Sequence, residues 1–174
     1  MLKNKRKIFR GFTLIELLVV IVILGVLVTI GLTSFISSQA RGRDTKRKSD
    51  LKQISTALEL YYSDYGVYPT DSSGKILGCP SSGAGTACVW GSTTTEFTDG
   101  KTTYMRIVPA DPSDGYNYYY RTVTVGSANQ GFQLFARLEN TKDQSLITPA
   151  YSCGGTANSC NFAITSPNVT ATSP

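Results

Sequence analysis

Histidine is absent from the 174 residues. That excludes Ser-His-Asp and Cys-His catalytic triads and histidine metal sites. Proline is absent before Pro69, so nothing earlier in the chain blocks a continuous helix. Charge is absent from Leu17 to Ala40, a run of 24 residues. A helix of that length extends about 36 Å, more than the roughly 30 Å of a bilayer's hydrocarbon core. A secretory signal has an apolar region of only about 7–15 residues. This run is longer, and no Ala-x-Ala-like site follows it. The rest of the chain is too small to wrap such a helix on all sides as a buried core element. Cysteine is scarce, with four residues spaced C-x8-C and C-x6-C. Neither spacing is that of a zinc knuckle or a redox C-x-x-C. No phosphate-cradling loop is present, because "CGGTANSC" is not followed by a helix signal.

Charge is unevenly placed. The chain has 17 Lys+Arg and 12 Asp+Glu. Residues 1–10 hold five of the bases (Lys3, Lys5, Arg6, Lys7, Arg10) and no acid. Without them the chain is formally neutral, so the high pI reports a basic N-terminal tag and not a nucleic-acid-binding domain. The tag favours a cytoplasmic N-terminus. Segment 41–52 is also basic, so the cysteines decide the topology. Cys79, Cys88, Cys153 and Cys160 all follow the apolar run. In a loop-rich region they suggest two disulfides and an oxidising exterior. Cys79–Cys88 and Cys153–Cys160 would each close a short loop, and the two other pairings stay open.

Helical periodicity continues after the run. Leu51, Ile54, Leu58, Tyr61 and Tyr65 form one apolar stripe, with Lys52, Gln53, Thr56, Glu59, Ser63 and Asp64 off it. Gly66 supplies a C-terminal cap and Pro69 prevents resumption. The pattern predicts one helix over about 12–65, apolar all round in its first half and amphipathic in its second. Residues 70–100 read as a long loop with a short element near Trp90. Strands are expected at 116–125 and 132–139, joined by a hairpin loop at 126–131. In the second strand Phe132, Leu134, Ala136 and Leu138 share one face. Further candidates are 102–108 and 161–165. The sheet should be antiparallel and cover the stripe of residues 51–65. The end, 166–174, should be frayed.

Three features could carry chemistry. "DPSDG" (111–115) could present oxygens to Ca²⁺, but Pro112 and Gly115 already explain it as a turn. Arg41, Arg43, Lys46, Arg47, Lys48 and Lys52 could contact nucleic-acid phosphates. No aromatic residue is interleaved there for base stacking, so a solvated face or an anchor on anionic lipid is the preferred reading. The third is Glu16, a carboxylate inside an apolar run. Near a helix N-terminus it gains up to about 1 kcal/mol from the macrodipole. Deep in a bilayer a charge costs about 2.5–3.5 kcal/mol on the insertion scale. Such residues are functional candidates whose partner must be named. A cut before Phe12 would create an amine that could neutralise a Glu16 on an adjacent helix.

"RGFTLIELLVVIVILG" resembles the class III signal of type IV pilins and pseudopilins. A basic leader ends at Gly11, Phe12 opens the mature chain, and Thr13, Leu14 and Ile15 precede Glu16. The resemblance implies that a prepilin peptidase cuts between Gly11 and Phe12 and that the Phe12 amine is methylated. It also implies that Glu16 pairs with a neighbouring subunit's N-terminus as the helices bundle. A second stretch is similar to the type II secretion major pseudopilins. Tyr61, Asp64, Gly66, Tyr68 and Pro69 fit one element of that group, and Asp111, Pro112, Gly115, Tyr116 and Tyr118 fit another. Two features depart from the family. The acidic calcium-binding C-terminal loop of major pseudopilins is not evident, and "YSCGGTANSC" resembles a cysteine-closed pilin C-terminus. Thr33 also stands where many pilins carry a proline.

The resulting expectation is an α+β, pilin-like subunit with a long N-terminal helix packed against a small antiparallel sheet. Its parts are a cleaved leader (1–11), a transmembrane or filament-core half-helix (12–40), an amphipathic half-helix (41–66), a globular head (67–165) and a flexible tail (166–174). The expected function is that of a structural filament subunit of a pilus or pseudopilus, with no cofactor, no metal and no enzymatic activity. The implied partners are copies of itself, minor pilins, the peptidase, a membrane assembly platform and the bilayer, with nucleic acid as a lesser alternative. The expected location is the cell membrane, N-in and C-out, then an extracellular or periplasmic filament. The competing readings are a single-pass anchored binding domain that does not polymerise, and an extracellular enzyme on a stalk. The second lacks any nucleophile–base pair.

Overall fold

A computed structural model describes residues 11–79, 85–126, 128–148, 151–154 and 159–171, without side chains 30–34. The basic leader, residues 1–10, lies outside the described residues. Helix α1 runs Leu14–Tyr65, as the periodicity predicts. Thr13 starts it with a capping box. The Glu16 N–H donates to Thr13 Oγ1 at 3.4 Å, and the Thr13 N–H donates back to Glu16 Oε2 at 2.9 Å. Two otherwise orphan helix donors are satisfied in this way. Gly66 ends the helix in the left-handed region, with φ +68°. Its N–H donates to the Tyr62 carbonyl at 2.7 Å.

The chain divides into two compact units, Met1–Gln39 and Ala40–Pro174. In the first, every large apolar side chain described from Phe12 to Val28 is exposed. Among the described residues no helix is long and apolar enough to cross a membrane. The expected span 12–40 runs through side chains 30–34, which lie outside the description.

The second unit holds the outer part of α1 and three small antiparallel sheets. β1 (Asp71–Ser72) pairs with β2 (Lys75–Ile76), and β3 (Phe97–Thr98) with β4 (Thr103–Met105). β5 (Tyr119–Val125), β6 (Ala128–Ala136) and β7 (Phe162–Thr165) form a three-stranded sheet with β6 central. The α+β class is therefore as expected, but the segment read as a long loop holds β1, β2 and β3. The Ser72↔Lys75 hairpin turns through Ser73 and Gly74, at φ 49° and 77°. Positive φ at both central residues gives the twist a two-residue hairpin needs. A Cβ on Gly74 would meet the Tyr119 ring at 2.5 Å. β5 and β6 pair as far as Val125↔Ala128, so their loop is tighter than the expected 126–131.

The core lies between the α1 stripe and this sheet. Leu51, Ile54 and Leu58 are buried with Phe132, Leu134, Ala136 and Leu138, as the alternation predicts. The opposite face of β6 is buried too. Phe135 packs with Cys153, Cys160, Tyr119 and Tyr151 in a second cluster. The disulfides are Cys79–Cys88 and Cys153–Cys160, the two short loops. The start of the expected frayed tail is tied down. Ser166 is buried, its hydroxyl accepts from the Phe132 N–H at 3.1 Å, and Gln133 Nε2 donates to the Thr170 carbonyl at 2.8 Å. Residues 172–174 lie outside the described residues.

Candidate functional site: the helix start and the charged clamp

Glu16 sits in the first turn of α1. Its Oε2 accepts from the Thr13 N–H and, at 2.6 Å, from the Thr13 hydroxyl. Its Oε1 accepts no hydrogen bond among the described residues. The carboxylate thus caps its own helix through one oxygen and keeps the other open. Phe12, at 79% exposure, stands immediately before the cap. Gly11 has open space around it, with nothing within 4 Å of a built Cβ. An exposed Gly11–Phe12 junction, a carboxylate with a free oxygen and a bare apolar helix therefore lie together at one end of the chain.

The basic segment 41–52 is not a uniformly solvated face. Arg47 is fully buried. Its Nε and Nη2 donate to the two carboxylate oxygens of Asp111, each at 2.8 Å. Its Nη1 donates to Asp44 and Glu139, each at 2.8 Å, and its Nη2 also to Ser113 Oγ at 2.8 Å. Asp44 in turn accepts from the Glu139 and Asn140 backbone N–H groups at 2.9 and 2.8 Å. Arg43 binds Glu139, and Lys48 binds Asp143 at 2.7 Å. Three of the six bases are thus committed to holding α1 against the loops after Val108 and Ala136. A nucleic-acid or lipid surface keeps only Arg41, Lys46 and Lys52, all exposed.

Burial alone would weaken the Arg47 proton. The bonds to Asp111 and Glu139 outweigh it and hold the guanidinium above its ordinary pKa. Glu139 is lowered to about 2, first by the Arg43 hydrogen bond, against some desolvation, and then by Arg47. Asp50 is raised by burial, which the Tyr118 hydroxyl at 2.8 Å partly opposes. "DPSDG" is accordingly an anchor: Asp111 is filled by Arg47, and Gly115 turns at φ +80°. Among the described residues no group of three or more metal-ligating side chains could hold an ion.

Sequence reasoning overlooked Asp44 and read Arg47 as a base free for solvent, lipid or phosphate. The signal was available, because stepping back from Leu51 by four and three places Arg47 and Asp44 on the same stripe. An apolar-only template ignored them.

Residues 6–32 match the family described as the prokaryotic N-terminal methylation motif. The chain is 39% identical over 74 residues to the type IV major pilin protein PilA of Myxococcus xanthus, covering 42% of this chain and 33% of that protein. It is 41% identical over 64 residues to type II secretion system core protein G of Pseudomonas aeruginosa, covering 37% and 45% of the two chains. It is 38% identical over 65 residues to the core protein G of Escherichia coli, again covering 37% and 45%. The chain therefore spans less than half the length of these relatives. No solved structure matches. The resemblance to type IV pilins and type II secretion major pseudopilins is borne out, and its N-terminal motif lies where the capped, exposed start of α1 is found.

Proposed function

We propose that the chain is a structural subunit of a pilus or pseudopilus filament. Residues 12–40 span the bilayer before assembly, with the basic leader inside and the disulfide-bonded head outside. A prepilin peptidase cuts between Gly11 and Phe12, and the new Phe12 amine is methylated. The helices then leave the membrane through an assembly platform and bundle with copies and minor pilins. In lipid, apolar contact alone adds little to helix association. Pairing between Glu16 Oε1 and a neighbour's Phe12 amine then supplies specificity, while Oε2 keeps the cap. A contact of this kind repeats without closing, so it builds an open fibre.

The observation that carries this reading is the match of residues 6–32 to the methylation motif, at the start of a helix whose apolar side chains are bare. The test is N-terminal sequencing with mass analysis of protein recovered from membranes and from sheared surface material. Methylated Phe12 as first residue is the expected result. Filaments whose subunits still begin at Met1 overturn the processing step, and a chain that begins at Met1 and is recovered from membranes alone favours an anchored domain that does not polymerise.

A further inference from the structure

A cleft of about 420 Å³ in the head is lined by Ser73, Lys75, Trp90, Asn117, Tyr119 and Ser152, with the Tyr118 ring in its wall. That volume falls in the range of small-molecule sites, roughly 300–1,000 Å³. The clamp of Arg47 has no part in it. Its edges are held by fixed backbone. Trp90 stands between the bridged Cys88 and Gly91. Gly91 turns at φ +75° against Ala110, where a Cβ would approach to 2.8 Å, and its N–H donates to the Val108 carbonyl at 2.7 Å. Asn117 is tied by its N–H to the Cys153 carbonyl at 2.9 Å, beside Ser152. Ser73 belongs to the β1–β2 turn, whose Gly74 carbonyl accepts from the Tyr120 N–H at 2.9 Å.

The side chains are less committed than the backbone. Tyr118 gives its hydroxyl to Asp50 and offers the cleft only its ring, set edge-on to Trp90 at 5.9 Å. The Lys75 ammonium, the Asn117 amide and the Ser73 and Ser152 hydroxyls make no side-chain hydrogen bond among the described residues. Lys75 is the one charge among the described lining residues, none of which is a carboxylate. An indole beside hydroxyl and amide groups suits a pyranose, which stacks one face of its ring and hydrogen-bonds through its edge. An ammonium suits a carboxylate on that ring.

We infer that this cleft binds an acidic saccharide residue, its ring against Trp90 and its carboxylate on Lys75. The site goes beyond filament assembly and does not depend on it. Trp90 is the chain's single tryptophan, so indole fluorescence reports the cleft directly. The experiment titrates the full chain, in a sugar-free zwitterionic detergent, with methyl β-glucuronide, methyl β-glucoside and acetate. The glucuronide should change Trp90 emission saturably and bind about ten- to a hundredfold more tightly than the glucoside, as one charge-assisted contact predicts. Lys75→Gln should remove that preference and leave the glucoside response. Trp90→Ala should abolish glucuronide-induced shifts of the Asn117 side-chain amide. Absence of a saturable response to either sugar, equal binding of the two, or an acetate response equal to the glucuronide's overturns the proposal.

Discussion

Arg47 shows what one buried residue does when each of its donors is used. Its guanidinium reaches Asp44, Asp111, Glu139 and Ser113, and the Asp44 and Asp111 side chains are only 5% and 1% exposed. Taking out the cation strands buried carboxylates, and breaking such a network costs about 3–5 kcal/mol. Arg47→Gln should therefore lower unfolding stability by that amount in urea titrations. Arg41→Gln, six residues earlier and exposed, should stay within about 0.5 kcal/mol of the parent. The network also sets a pH response. Glu139 titrates at about 2 when folded, against an ordinary 4.5. A depressed carboxyl contributes its full stability above 4.5 and loses it as pH falls through 2. Asp50, raised by burial, acts in the opposite sense, its ionisation costing stability as pH rises. Thermal melts should therefore fall between pH 4.5 and 2, and Glu139→Gln should flatten that fall. An equally steep fall in the variant would show that Glu139 is not the group responsible.

Strand β6 carries the head because it is buried on both faces. Phe132 and Leu134 face the α1 stripe, whereas Phe135 faces Tyr119, Tyr151 and the Cys153–Cys160 bridge. Phe135→Ala should cost about 3–5 kcal/mol, as much as Phe132→Ala, measured by chemical denaturation. A strand with one solvated face would make the Phe135 change nearly neutral. The alternation Phe132-Leu134-Ala136-Leu138 revealed the first face. It could not reveal the second, because the cover comes from a loop brought there by a disulfide pairing that spacing alone left open. The same asymmetry runs through the other elements. The limits of α1 were legible, since Gly66 and Pro69 stop it by local backbone geometry. The β1–β2 and β3–β4 hairpins were not. Their two- and three-residue strands are too short for a periodicity, and Ser73 with Gly74 is a turn whose type depends on both φ values. The stripe extended to Asp44 and Arg47 was visible in spacing but hidden by residue type, since burial of those charges requires partners some 64 and 95 residues away.

At the scale of the whole molecule, the two units carry opposite surfaces. Ala40–Pro174 buries most of its described large apolar side chains in its own core and leaves Leu60, Tyr65, Val89 and Ile107 exposed. The described part of Met1–Gln39 leaves Phe12, Leu14, Ile15, Leu17 and their successors exposed. Exposed apolar area of that extent calls for a partner phase, which under the proposed function is first lipid and then copies of the same helix. Glu16 then has two candidate duties, capping its own helix and neutralising a neighbour's amine, and its variants separate them. Glutamine retains the capping box, because its side-chain oxygen can still accept from the Thr13 N–H, but it has no charge. Alanine removes both. Loss of the cap alone costs about 1 kcal/mol, whereas a buried amine left without its counter-charge costs about 3–5 kcal/mol at each subunit contact. Filament yield should therefore vanish in Glu16→Gln as completely as in Glu16→Ala, with membrane insertion of both variants unchanged by fractionation. Thr13→Ala, which breaks the cap and spares the charge, should retain filaments at reduced yield. If glutamine restores filaments, the carboxylate's charge is irrelevant and its role ends with the first turn of the helix.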